Sequence, residues 1–75
     1  MERAELNAAL LGAHDRNDKE TLVTLYRKAG QNFLDAGEID AGCFYLTQAY
    51  IFALDTDHDT APDLHRLLVT HGRET

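Results

Sequence analysis

The chain has 75 residues, 13 acidic and 7 basic side chains, and a formal net charge of −6. That balance excludes a general nucleic-acid binder, which needs clustered Lys and Arg to neutralise phosphates, and it disfavours an anionic membrane surface. Cys43 is the single cysteine, so no disulfide framework exists and a small core must hold the chain unaided.

Hydrophobic periodicity predicts four helices and an all-α fold. The first spans 2–13 and places Leu6, Leu10 and Ala13 along one face. His14 to Asp18 are polar breaker residues, and Asp18 suits the N-cap of the next helix. The second helix spans 19–36, with Leu22, Leu25, Tyr26, Ala29, Phe33 and Ala36 at the helical period. Gly37 stands where a left-handed C-terminal residue is wanted. The third spans 38–54. Ile39, Gly42, Leu46, Ala49 and Ala53 share one face, while Phe44 and Ile51 point almost the opposite way. A helix apolar nearly all round is usually buried on more than one side. Leu6, Leu10 and Leu11 of the first helix are one candidate cover for Phe44 and Ile51, and a second copy of the chain is another. Asp55 to Asp59 form a polar connector. Thr60 reads as the cap of the last helix, with Pro62 in its first turn and Asp63 at the positive end of its dipole. Leu64, Leu67, Leu68 and His71 follow, and Gly72 ends the helix. The expectation is one helical domain over 1–75, divided into an N-terminal helix (1–17), a helical hairpin (18–55) and a C-terminal helix (60–72).

The densest pattern lies between Tyr26 and Ala49. Tyr26, Gly30, Phe33 and Gly37 fall at steps of four, three and four, and Gly42, Leu46 and Ala49 at steps of four and three. Bulky and small residues alternate on two facing stripes, which lets two antiparallel helices approach closely. These residues resemble a single tetratricopeptide repeat, a helix–turn–helix unit used as a protein-interaction scaffold. Tyr26 matches the aromatic that opens the first helix, Gly30 and Gly42 the small residues at the crossing, Phe33 the aromatic before the turn, Gly37 the turn glycine, and Ala49 the late small residue. Ala29 stands where a leucine is usual, and Leu54 where a proline closes the second helix. With one repeat and two flanking helices, the expected architecture is a small bundle with a tetratricopeptide-like pair at its centre. The resemblance implies a groove lined by exposed positions of the hairpin's first helix, here Thr24, Arg27, Lys28, Gln31 and Leu34. Arg27 and Lys28 would there meet a carboxylate or an acidic peptide.

No constellation points to catalysis. The chain has no serine. Cys43 lies among apolar residues, where a thiol acts as a small hydrophobe rather than a nucleophile. Asp55, Asp57 and Asp59 alternate like the first ligands of an EF-hand loop. Thr60 stands where the loop needs glycine, however, and Arg66 where it needs a bidentate glutamate. None of His14, His58, His65 and His71 forms the i, i+4 pair of a helix metal site. The expectation is a non-catalytic protein-interaction module without a cofactor or bound metal. Arg27, Lys28, Gln31, Leu34, Phe44 and Ile51 are its candidate contact residues. A homo-oligomer, most simply a homodimer through the outer face of the third helix, is expected, with neither nucleic acid nor membrane as partner. The alternative is a regulator responsive to a metal or small molecule at Asp55, His58 and Asp59. No apolar stretch is long enough to span a bilayer. Met1-Glu2-Arg3-Ala4-Glu5 is too acidic for a signal peptide, so a cytoplasmic protein is expected.

Overall fold

The structure is a computed structural model and describes residues 3–74. It is all-α, with helices α1 (Arg3–Asp15), α2 (Lys19–Asp35), α3 (Ile39–Asp55) and α4 (Ala61–Thr70). The described residues contain no strand.

All four helices end in the same way. The residue after each C-cap takes a left-handed conformation: Asn17, Gly37, Asp57 and Gly72, with φ between +53° and +81°. That residue's N–H donates to the carbonyl three positions back, as in Gly37 to Leu34 at 3.0 Å. The next N–H reaches five back, as in Glu38 to Phe33 at 2.9 Å, Asp18 to Ala13 at 2.9 Å and His58 to Ala53 at 2.8 Å. This Schellman pattern satisfies carbonyls that a helix end leaves bare. Glycine takes a left-handed φ without strain, whereas an L-residue there costs ~1–2 kcal/mol, least for Asn and Asp. Asp57→Gly removes that strain but loosens the unfolded chain by ~0.4–1 kcal/mol. The expected net result is a gain of up to about 1 kcal/mol, read as a higher urea midpoint at unchanged slope. A lower midpoint would mean that the Asp57 carboxylate holds the turn.

The helix starts differ from one another. Asp18 caps α2: its carboxylate accepts the Thr21 N–H at 3.3 Å and the Thr21 hydroxyl at 2.6 Å. The hydroxyl bond, followed by the backbone bond, holds the Asp18 carboxyl below its usual range. Thr60 is the N-cap residue of α4, as the sequence suggests, but its side chain makes no cap bond and meets His58 instead. Pro62 does lie in the first turn of α4.

α2 and α3 form the central antiparallel pair. Lys19, opening α2, pairs with Asp55, closing α3, at 2.6 Å. Phe33 near the other end of α2 stacks on Tyr45 with ring centroids 5.3 Å apart. Between these ends the backbones nearly touch. A Cβ built on Gly30 would lie 2.7 Å from Leu46 Cγ and 3.0 Å from the Gly42 carbonyl oxygen. One built on Gly42 would lie 2.7 Å from Leu34 Cδ2 and 3.0 Å from the Gly30 carbonyl oxygen. The two glycines therefore face each other at the crossing that the stripe pattern predicts.

The outer helices cover opposite parts of this pair. Leu10 and Ala13 of α1 bury with Leu22, beside Leu6 and Leu25. Leu64 and Leu68 of α4 bury with Val23, Cys43, Leu46, Ala49 and Ala53. Tyr26 and Phe52 touch both clusters and join them. The Cα atoms fill a slab of 32 × 28 × 13 Å, thin because each helix packs mainly on its sequence neighbours. Two expected core positions move outward: Ala36 becomes the exposed C-cap of α2, and Ile39, first in α3, is exposed.

Candidate functional site

Packing Val23 against α4 brings the α3–α4 connector beside the outer face of α2. Between them lies a cleft of about 420 Å³, lined by Val23, Thr24, Arg27, Lys28, Gln31, Asn32, His58 and Thr60. Val23 is its buried apolar floor, and the α2 positions fall three and four residues apart, as one helix face requires. His58 is held in place by Thr60, whose N–H donates to Nδ1 at 3.2 Å and whose hydroxyl lies 2.9 Å from the same atom. A backbone N–H only donates, so Nδ1 is the accepting nitrogen and the proton of the neutral ring sits on Nε2.

Four of the seven Lys and Arg side chains sit in ion pairs among the described residues, and Arg3, Arg27 and Lys28 do not. Arg16 pairs with Asp18, Lys19 with Asp55, Arg66 with Asp63, and Arg73 with Asp40. Arg27 and Lys28 are exposed and form no ion pair with any described residue. No carboxylate lines the cleft. The arrangement offers two adjacent cations, hydroxyl and amide groups that donate or accept, and an apolar floor. It offers no nucleophile beside a base.

The sequence-expected contact residues fall into three places. Thr24, Arg27, Lys28 and Gln31 share the cleft. Leu34 is not with them: it is half-buried and turns onto Gly42. Phe44 and Ile51 stand on the outer face of α3, 58% and 51% exposed, with Leu54 beside them at 58%. α1, one of the two candidate covers, does not supply it. Leu10 is spent on Leu22, Leu6 flanks that cluster, and Leu11 is 66% exposed.

The acidic connector is not gathered around a point. Asp55 pairs with Lys19, Asp57 is the left-handed residue of the α3 turn, and Asp59 is exposed. Among the described residues no group of three His, Cys, Asp or Glu side chains is placed to hold a metal ion. Cys43 is buried in the α4 cluster at 2% exposure. His14, read from the sequence as a polar breaker residue, meets the Tyr26 hydroxyl through Nε2 at 3.1 Å and sets its ring edge against Phe52. Burial, and then the neighbouring Tyr45, pushes the Tyr26 phenol above its usual range.

Sequence reasoning missed Val23, Asn32, His58 and Thr60 as cleft residues. Asn32 and Val23 carried a readable signal, since they flank the Thr24–Lys28–Gln31 row. His58 and Thr60 carried none, because their place depends on how the connector returns.

No protein-family model, curated protein or solved structure matches the chain. Among the described residues no helix is long and apolar enough to cross a membrane.

Proposed function

We propose that this chain is a small non-catalytic protein-binding module of the tetratricopeptide-like kind, cytoplasmic and homo-oligomeric, which takes an acidic segment of a partner protein into the cleft along α2. The observation that carries this reading is the unpaired Arg27–Lys28 pair in a cleft free of carboxylates, on a chain of net charge −6. Guanidinium and ammonium groups recognise carboxylates by charge-assisted hydrogen bonds. The Thr24 hydroxyl already donates to the Glu20 carbonyl and the Gln31 amide to Asp35, so Asn32 is the side-chain donor left for a peptide backbone, above the buried Val23 floor.

Fluorescence anisotropy with labelled acidic peptides and length-matched neutral peptides tests this. Acidic peptides are expected to bind more tightly, with affinity falling as salt rises. Arg27→Glu with Lys28→Glu alters two exposed side chains, so the fold is retained. It is expected to weaken acidic-peptide binding at least about tenfold, equivalent to ~1.4 kcal/mol. Equal binding of acidic and neutral peptides, or full binding by the folded double variant, refutes the reading.

A further inference from the structure

We infer that the outer face of α3, with the adjoining edge of α4, is a two-fold interface between two copies of this chain. This rests on the homo-oligomeric reading above and assigns its surface and symmetry. From Ala41 to Leu54 no residue is charged, a long neutral stretch in a chain of net charge −6. Phe44, Ile51 and Leu54 stand out from it. Each end of the strip carries a carboxylate with its own cation: Asp40 with Arg73, and Asp55 with Lys19. A second, equally acidic copy therefore meets no unpaired charge along this strip.

The relief of the face fits the same occupant. Beside the Asp40 end lies a hollow of about 380 Å³ lined by Asp40, Cys43, Phe44, Thr47 and Arg73. Beside the Asp55 end lies one of about 250 Å³ lined by Tyr50, Leu54, Ala61, Pro62 and His65. An antiparallel two-fold pairing brings Phe44 of one copy to the Tyr50–Pro62 hollow of the other. It brings Leu54 to the hollow beside Thr47, and the same contacts repeat by symmetry. The axis then passes near Thr47 and Gln48, midway between Phe44 and Ile51. A stable interface takes roughly 800 Å² from each partner, about one sixth of this chain's 4696 Å². No residue of this face lines the α2 cleft, so both clefts stay open and the dimer is bivalent.

Light scattering on size exclusion is expected to give twice the chain mass at high micromolar concentration. Mild oxidation should link Gln48→Cys to its copy and leave Lys28→Cys unlinked on a non-reducing gel. Phe44→Glu with Ile51→Glu should give a folded chain of single mass. A monomeric wild type overturns both the interface and the homo-oligomeric reading. A dimer that fails to link through Gln48→Cys, or that survives the double glutamate change, overturns the interface alone. So does a mass that grows beyond two copies, which marks a non-closing contact. Should the double variant fail to fold, the cross-link decides. Peptide binding at the α2 cleft is scored separately and is not at stake in these measurements.

Discussion

Gly30→Leu is expected to unfold the protein or bring it close to unfolding. The first added carbon already meets Leu46 Cγ at 2.7 Å and the Gly42 carbonyl oxygen at 3.0 Å. Leu46 is fully buried and has nowhere to swing, and the carbonyl belongs to the facing backbone. Three further carbons can enter only by parting α2 from α3. Overpacking of this kind typically costs about 1–3 kcal/mol, sometimes more. A domain this small has little stability in reserve. Gly30→Ala separates two opposed effects. Alanine favours the helix by up to about 1 kcal/mol, but its Cβ forces the same conflict with Leu46 and the backbone. The conflict wins, so Gly30→Ala is destabilising, though less so than leucine. Gly42→Ala is milder, because its closest neighbour is the half-buried and more adaptable Leu34. Urea unfolding should rank the variants in that order. A Gly30→Ala protein as stable as wild type would show that the crossing relaxes without cost.

Leu64→Ala is expected to cost about 2–5 kcal/mol, the range for truncating a buried leucine. α4 has 10 residues, and only Leu64 and Leu68 of these are buried. A helix of that length is marginal by itself, so its order depends on tertiary contact. Leu64 is fully buried in the cluster that holds Val23, Ala53 and Leu68. The loss should appear first in α4. Amide exchange there should accelerate while α2 and α3 amides around Gly30 and Leu46 remain protected. Because Thr60 opens α4 and holds His58, the same change should loosen the connector wall of the α2 cleft. If α4 amides and the global midpoint both stay at wild-type values, the core assignment of Leu64 fails.

The helices were legible in the sequence because each carries an apolar stripe at the right period and a polar break on either side. The glycine crossing was legible for the same reason: Gly30 and Gly42 fall on two stripes along which small residues alternate with bulky ones. The role of Val23 was harder to see. α2 buries one flank against α1 through Leu22 and another against α4 through Val23, and a single-stripe reading finds only the first. Asn17 and Asp57 read as polar filler, yet each occupies the left-handed position that glycine fills at 37 and 72. Asp55, Asp57 and Asp59 alternate like cation-loop ligands, but Thr60 and Arg66 already spoke against such a loop, and Asp57 serves the backbone turn. The α2 row of the cleft could be listed from helical spacing. Its opposite wall could not, because the return of the connector depends on where α4 docks.

The four matching helix ends have a consequence for how the chain can vary. Each reversal depends on one backbone conformation and two N–H donors, and the corner side chains are left to other duties. Residues 16–18, 36–38 and 56–58 are thus interchangeable cassettes in geometry, 20 positions apart, whose chemistry is free to differ. In the first cassette Asp18 caps the next helix, and in the third His58 joins the wall of the cleft. A surface of this protein can be rewritten at its corners, around the one left-handed residue that each must keep, without disturbing the order in which its helices fold back on one another.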